Sequence, residues 1–362
     1  MEKDLTDNLP FWSVIAPILT CIIYAGLQLN FGGWYLMLLT VSLIVCILAA
    51  VHHSEVIALS VGEPLGTLVL AIAITTIEVA LIVSLMLAGG KDTAVLARDT
   101  IFASEMIIIN GIVGGCLLIG GIKFKEQKYR LDGVSATLTV FTAISVLTLI
   151  LPNYTTSISG PLYNSNQLFF VAIISLVLYC SFLLMQTVKH RDYFLPENTE
   201  VKQELHKAPP SKKVSIISSI LLLIGLVAVV LSAKALSPSV EVGIDAVGAP
   251  KSVVGIIIAM VVLLPEGLSA LHAARKNRLQ SSLNLALGSA LASIGLTIPA
   301  VAFVSLYYGL PLTLGIDSKS TVLFILSLFI LSLSLRTGKT TSIQGVVLLV
   351  IFSIYLFTTI VP

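Results

Sequence analysis

Hydrophobic residues run along this chain in long blocks, interrupted by short polar joints. The block at 65–88, LGTLVLAIAITTIEVALIVSLMLA, holds 24 residues and one ionisable group, Glu78. The block at 252–274, SVVGIIIAMVVLLPEGLSALHAA, carries Glu266 as its 15th residue. Eleven such blocks are predicted as membrane-spanning helices, at about 12–29, 34–51, 65–88, 100–120, 133–151, 167–186, 214–235, 252–274, 282–308, 319–335 and 343–361. Each is near the ~20 residues that cross a bilayer. Pro, Gly and Asn mark joints at 30–33, 152–161, 248–250 and 309–311.

Composition agrees. Apolar residues make up 56% of the chain and charged residues 11%, against about 25% charged in soluble domains. The expected class is an all-α polytopic membrane protein. A net charge of +2 says little about partners, and nothing resembles a nucleic-acid-binding face. Cys21, Cys46, Cys116 and Cys180 lie inside apolar runs; they read as single buried thiols, without metal or redox spacing. The first block lacks a small-residue cleavage site and reads as a retained helix, not a removed signal.

Basic residues set the orientation. With the N-terminus cytoplasmic, 16 of the 21 Lys and Arg residues fall on the inner side. An odd span count then puts the C-terminus outside. Residues 187–213 form the only long polar loop, TVKHRDYFLPENTEVKQELHKAPPSKK. It reads as a cytoplasmic linker, with Glu197, Glu200 and Glu204 as candidates for cation sensing. The expected organisation is an N-terminal segment and first helix at 1–33, a five-helix repeat at 34–186, the linker at 187–213 and a second five-helix repeat at 214–362. Because five is odd, the second repeat must be inverted. Transporters with inverted repeats hold their sites at mid-membrane.

A carboxylate inside a membrane helix is costly and marks a candidate site. Glu78 shares a helix face with Thr75, three residues earlier, whose hydroxyl adds an oxygen. Glu266 follows Pro265, which cannot donate to the Val261 carbonyl, and precedes Gly267, so a broken helix with a free carbonyl is predicted there. Ser282, Ala286, Ser289, Ser293 and Thr297 recur at helical spacing in the ninth span. Ser104, Gly111 and Gly115 do so in the fourth. Such stripes serve close packing or line an ion path. Glu105, near the outer end of the fourth span, either snorkels or handles access and protons. Glu63 and Glu55, with His52 and His53, mark the inner mouth of the third span and read as interfacial, with Glu63 also a candidate for access or proton handling. Glu241 and Asp245 read as an outer solvated loop.

Two buried glutamates are a reason for exchange. Burial and a like charge both disfavour the doubly ionised state. One divalent cation neutralises it, as do two protons; a monovalent ion leaves one charge for a proton. Adaptable oxygen coordination suits Ca²⁺. The expected function is therefore a secondary antiporter that exports cations against protons by alternating access.

At these residues the sequence resembles the calcium/proton antiporter family of the cation/calcium exchanger superfamily, and within it the bacterial ChaA-type sodium-potassium/proton and calcium/proton antiporters. The matching stretches are Gly62-Glu63-Pro64-Leu65-Gly66 leading to Ile77-Glu78-Val79, and Arg98-Asp99-Thr100 leading to the glycines at 114–121. In the second half they are Leu264-Pro265-Glu266-Gly267-Leu268 and Asn284-Leu285-Ala286-Leu287-Gly288-Ser289. The resemblance implies an extra first helix plus an inverted pair of five-helix repeats, a bacterial inner membrane, and Glu78 and Glu266 as the glutamates that bind the transported ion. The family's Gly-Asn-x-x-Glu motif has Thr75 and Leu263 at its Asn positions here, and Ala292 stands where a Gln is expected. Fewer amide oxygens leave room for Na⁺ or K⁺ beside Ca²⁺. No cofactor is expected beyond the transported ions, and the oligomeric state is not read. A sodium-coupled calcium exchanger is the alternative within transport, ahead of a channel. An intramembrane hydrolase is disfavoured, because His52-His53-Ser54-Glu55 has the wrong order for a zinc motif and Ser289 lacks a plausible intramembrane histidine partner.

Overall fold

The computed structural model describes residues 9–29, 32–61, 65–89, 94–195, 210–247, 250 and 252–361. Val- and Ile-rich runs that would favour strands in water are helical here. A segment flanked by lipid has only its own backbone to satisfy its N–H and C=O groups. The α-helices are α1 (Phe11–Ala25), α2 (Gly33–Val61), α3 (Leu65–Gly89), α4 (Leu96–Met106), α5 (Val113–Phe124), α6 (Leu131–Ser145) and α7 (Ser165–Leu184). They continue with α8 (Lys212–Val247), α9 (Ser252–Arg275), α10 (Leu279–Ala292), α11 (Ile298–Tyr308), α12 (Ser318–Ser334) and α13 (Ser342–Ile360). A two-stranded antiparallel ribbon pairs β1 (Gln127–Lys128) with β2 (Lys339–Thr340).

Each of the eleven expected spans falls on helix. Among the described residues, eight helical stretches are long and apolar enough to cross a membrane, and the bent α9 makes a ninth. The other two apolar stretches are shorter, Thr75–Ser84 within α3 and Ser318–Ser334. Two helices outrun their apolar blocks. α2 continues through His52 and His53 to Val61, and α8 continues through Pro238 to Val247. Glu241 and Asp245 therefore sit on helix and not in a loop. The joint at 309–311 is a true stop, since Gly309 takes the left-handed conformation (φ 65°) that ends α11.

Two compact units emerge, and they cut across the sequence halves. One comprises Met1–Gly89 with Gln203–Val247, the other Gly90–Lys202 with Gly248–Pro362. In the first, α2 packs against α1, α3 and α8. Polar ties reinforce the apolar contacts. Thr20 Oγ1 donates to the Ser42 carbonyl (3.0 Å), and the Tyr35 hydroxyl donates to the Ile23 carbonyl (2.7 Å). Of the four cysteines, Cys46 and Cys116 are buried as expected, Cys21 is half-buried and Cys180 is exposed. Cys180 lies on the exposed side of α7.

The second unit is built on long helices interrupted by π-helical turns. Ile107–Ile112 joins α4 to α5, and Ser293–Thr297 joins α10 to α11. The two pairs cross: α10 packs on the first π segment and α4 on the second. Their starts are pinned reciprocally. At the start of α4, Arg98 donates to the Gly315 carbonyl beyond α11 (3.0 Å), and the Thr313 N–H donates to the Ala94 carbonyl (3.1 Å). At the start of α10, Gln280 Oε1 accepts from the Arg130 N–H beyond α5 (2.6 Å). Between the spans, buried Tyr163 donates to the Leu147 carbonyl (2.6 Å). Burial pushes its hydroxyl pKa up to about 12, so it stays a donor at any physiological pH.

The glycines of the fourth span serve packing, but the pair that brings backbones closest is not Gly111 and Gly115. A Cβ on Gly345 of α13 would lie 2.3 Å from the Leu118 nitrogen and 2.6 Å from the Gly114 carbonyl, and one on Gly121 would lie 2.3 Å from the Ser342 nitrogen. By contrast, a Cβ on Gly288 of α10 meets nothing within 4 Å. Gly345→Ala must push two backbones apart, at a cost of about 1–3 kcal/mol. It is expected to lower the unfolding temperature of the detergent-purified protein by several degrees, whereas Gly288→Ala leaves it unchanged or higher; differential scanning fluorimetry checks both.

Candidate functional site

The candidate residues divide between the two units. In the first, α3 carries Glu78 and Thr75 three residues apart on one helix face, 3% and 5% exposed. The carboxylate is therefore turned into protein and away from lipid. Glu63, just ahead of α3, lies outside the described residues, as do Glu197, Glu200 and Glu204 of the linker.

In the second unit, α9 bends by 52° between Gly255–Leu264 and Glu266–Arg275. The bend falls on Pro265, whose backbone nitrogen has no hydrogen to donate to the Val261 carbonyl. Glu266 is the first residue after the bend. It is half-buried, and the Ser289 hydroxyl of α10 donates to its carboxylate. A serine and a glutamate 23 positions apart are thus one polar pair.

Small residues allow this bend to sit deep. A Cβ on Gly267 would lie 3.1 Å from Ile112 Cδ1, in the first π segment, and one on Gly255 would lie 2.9 Å from the Asp99 backbone. Further along, Ala270 and Ala274 pack with Cys116. The ninth-span stripe is a buried one: Ser282, Ala286, Ser293 and Thr297 are all buried, and Ser293 and Thr297 bound the second π segment.

Ser104 and Glu105 are buried on α4, Glu105 completely. The snorkelling alternative for Glu105 is therefore excluded. His53 also departs from expectation. It is not interfacial but fully buried, with Nε2 2.9 Å from the Ser13 carbonyl of α1 and Nδ1 3.3 Å from Ser218 Oγ of α8. It is a satisfied core histidine that ties three helices of the first unit.

Sequence reasoning missed Asn110. This residue sits in the first π segment at 0% exposure. Its Nδ2 donates to Ser327 Oγ of α12 (2.9 Å), and Ser327 in turn donates to the Leu323 carbonyl (2.8 Å). That chain fixes the amide, and Asn110 Oδ1 is left without a hydrogen-bond partner. A buried, unsatisfied carbonyl costs about 1–3 kcal/mol and is a natural cation ligand. The available signal was an amide in the run Ile107–Ile112, where aliphatic residues otherwise dominate.

Residues 31–188 and 217–361 match the model of the sodium/calcium exchanger protein family. The chain is 42% identical over 360 residues to the putative ionic transporter y4hA of Sinorhizobium fredii (strain NBRC 101917 / NGR234), covering 98% of this chain and 97% of that protein. It is 34% identical over 312 residues to the sodium-potassium/proton antiporter ChaA of Escherichia coli (strain K12), covering 86% of this chain and 84% of that one. Its fold is similar to the solved structure of native YfkE, with a TM-score of 0.72 at 19% sequence identity, covering 97% of this chain and 99% of that one.

The placement of His53 makes a structural role the expectation. His53→Ala leaves the Ser13 carbonyl and the Ser218 hydroxyl without their ring partner. It is expected to destabilise the protein by about 1–3 kcal/mol while the cation dependence of transport stays that of the unmodified chain. Thermal unfolding measured beside vesicle transport separates the two effects; intact stability with altered cation dependence contradicts this assignment.

Proposed function

Because the chain belongs to the sodium/calcium exchanger protein family, we propose that it is a secondary antiporter exporting Ca²⁺, and Na⁺ or K⁺ as well, in exchange for protons. Glu78 and Glu266 are the carboxylates that trade cation for proton. One observation carries the reading. Each of the long apolar helices α3 and α9 holds a single carboxylate, Glu78 buried and Glu266 hydrogen-bonded to Ser289 at a proline bend.

The chemistry follows from charge. An ionised carboxylate in a poorly solvated site needs a positive partner, and proton and metal compete for the same oxygens. That competition couples the two fluxes without a further device. Each unit adds neutral oxygens that are candidates for coordination: the Thr75 hydroxyl beside Glu78 in the first, and the hydroxyls of Ser104 and Ser289, the Val261 carbonyl and the Asn110 amide oxygen in the second. Asn110 gives the second unit an amide oxygen of the kind that the motif lacks at Leu263. Buried Glu105 serves proton access from the outer side and Glu63 from the inner. The name of the Escherichia coli relative, a sodium-potassium/proton antiporter, favours proton coupling over sodium coupling.

Alternating access between two inverted five-helix repeats, 34–186 and 214–362, gives the transport cycle. The reciprocal pinning of α4 and α10, each tied to the segment that follows the other's partner helix, supports that inversion. The cellular setting of this reading is a bacterial inner membrane, with the N-terminus in the cytoplasm.

Everted membrane vesicles with a pH-sensitive dye test the assignment. Addition of Ca²⁺, Na⁺ or K⁺ is expected to release protons with the unmodified chain. Glu78→Gln and Glu266→Gln are expected to abolish the response at normal membrane insertion. Ser289→Ala, which removes one hydrogen bond to a charged group, is expected to raise the half-saturating cation concentration about tenfold. A dye response unchanged in either glutamine variant refutes the two-glutamate mechanism.

A further inference from the structure

Three segments of the second unit, 123–132, 275–280 and 336–340, converge at one end of the helices. Lys123 Nζ donates to the Arg275 carbonyl (3.0 Å), and Gln127 Nε2 donates to the Ala274 carbonyl (3.2 Å) and to Asn277 Oδ1 (3.0 Å). The Tyr129 N–H donates to the Gly338 carbonyl (3.0 Å), and the β1–β2 ribbon closes the third side. Together these segments carry nine Lys and Arg residues against two acidic ones, Glu126 and Asp132.

A general excess of positive charge at one membrane face needs only numbers. Two features here go further, because each works against stability. First, Lys128 and Lys339 are directly opposite in the antiparallel ribbon and both are exposed. Like charges so placed repel; Glu126 (3.3 Å) offsets only the Lys339 charge, and among the described residues no acidic side chain pairs with Lys128. Second, Lys125 is held at φ 65° and ψ −56°, with the Glu126 N–H donating to the Phe124 carbonyl at 2.8 Å. That is a γ-turn of the strained, positive-φ kind, at a residue whose side chain makes the conformation costly where glycine would not. An observed strain of this sort points to a ligand that repays it.

The ligand's chemistry is legible from the surroundings. Ile122, 70% exposed, and Leu131, 39% exposed, flank the basic end on α5 and α6. A molecule with an anionic head and an apolar tail satisfies both surfaces. We propose that this end of the second unit binds the headgroup phosphate of an anionic phospholipid through Lys125, Lys128 and Lys339, with the acyl chains against Ile122 and Leu131. The proposal does not depend on Glu78, Glu266 or the identity of the transported ion.

The test uses the full-length protein purified in a neutral detergent, with phosphatidylglycerol, phosphatidylcholine or inorganic phosphate added. Phosphatidylglycerol is expected to remain bound in native mass spectrometry and to raise the unfolding temperature; the other two are not. Lys128→Gln and Lys125→Gln are each expected to lower phosphatidylglycerol affinity about fivefold, whereas Lys212→Gln, at the start of α8, leaves it unchanged. Lys125→Gly gives the sharpest contrast: relief of the γ-turn raises the unfolding temperature in detergent alone, and loss of the ammonium weakens the response to lipid. Equal loss of affinity in Lys212→Gln reduces the effect to general surface charge and overturns the proposal. So does an equal response to inorganic phosphate, or lipid affinity unchanged in both the Lys125→Gln and Lys128→Gln variants.

Discussion

The constraint on which the second unit depends is the intolerance of a low-dielectric interior for unpaired charge and unpaired backbone. At 264–267 the chain breaks both rules together. Pro265 removes the donor that would satisfy the Val261 carbonyl, and Glu266 adds a carboxylate one residue later. Either defect on a lipid-facing helix would oppose insertion. They persist here because the neighbourhood is shaped around them. Ser289 supplies a hydroxyl to the carboxylate. Gly255 and Gly267 let the bent helix lie against the backbone of α4 and the first π segment, and the alanines at 270 and 274 continue that close contact.

The π segments extend the same logic. Each inserts an extra residue into a helix, shifting its register and loosening the ladder of carbonyl bonds where it occurs. Of the four among the described residues, the one between α4 and α5 holds Asn110, whose amide oxygen is unsatisfied, and the one between α10 and α11 is bounded by the buried hydroxyl residues Ser293 and Thr297. Because α4 and α10 pack on one another's π segments, the irregular backbone of both helices collects in one region of the unit. Their far ends are held by Arg98 on Gly315 and by Gln280 on Arg130. Regular, pinned ends and an irregular middle are what a helix pair needs if its centre is to present polar atoms without unravelling.

Hydropathy alone located the helices, because in lipid a long apolar run has few alternatives to helix. It could not place their ends. α2 runs on to Val61, and in that extension His53 finds two partners on α1 and α8, contacts that no local signal announces. Glu78, Glu266 and Pro265 were legible because each violates the pattern around it. Ser289 was visible as one of a stripe, but its particular bond to Glu266 depends on how α9 and α10 cross. The π turns have no compositional signature, and Asn110 was masked by isoleucines that dominate any average across its window. The small-residue stripe of the fourth span shows the same limit: spacing picked out Gly111 and Gly115, while the crossing of α5 with α13 made Gly121 and Gly345 the tight positions.

If Glu78 and Glu266 carry the exchange, charge balance constrains what the protein can move. Two carboxylates present two negative charges, and every resting form must neutralise nearly all of that in an apolar setting. A divalent cation does so alone and exchanges for two protons. A monovalent cation neutralises one carboxylate and leaves the other protonated, so it exchanges for a single proton. On that premise the same pair would support both ions at different coupling ratios, and discrimination would fall to the neutral oxygens. A set made of hydroxyls, one amide and a freed backbone carbonyl has weaker dipoles and more freedom than a ring of carboxylates, and so imposes less penalty on an ion of lower charge. Breadth among cations would then be a consequence of the donor set: the carboxylates would fix the total charge exchanged, and the soft neutral shell would leave the ion's identity loosely specified.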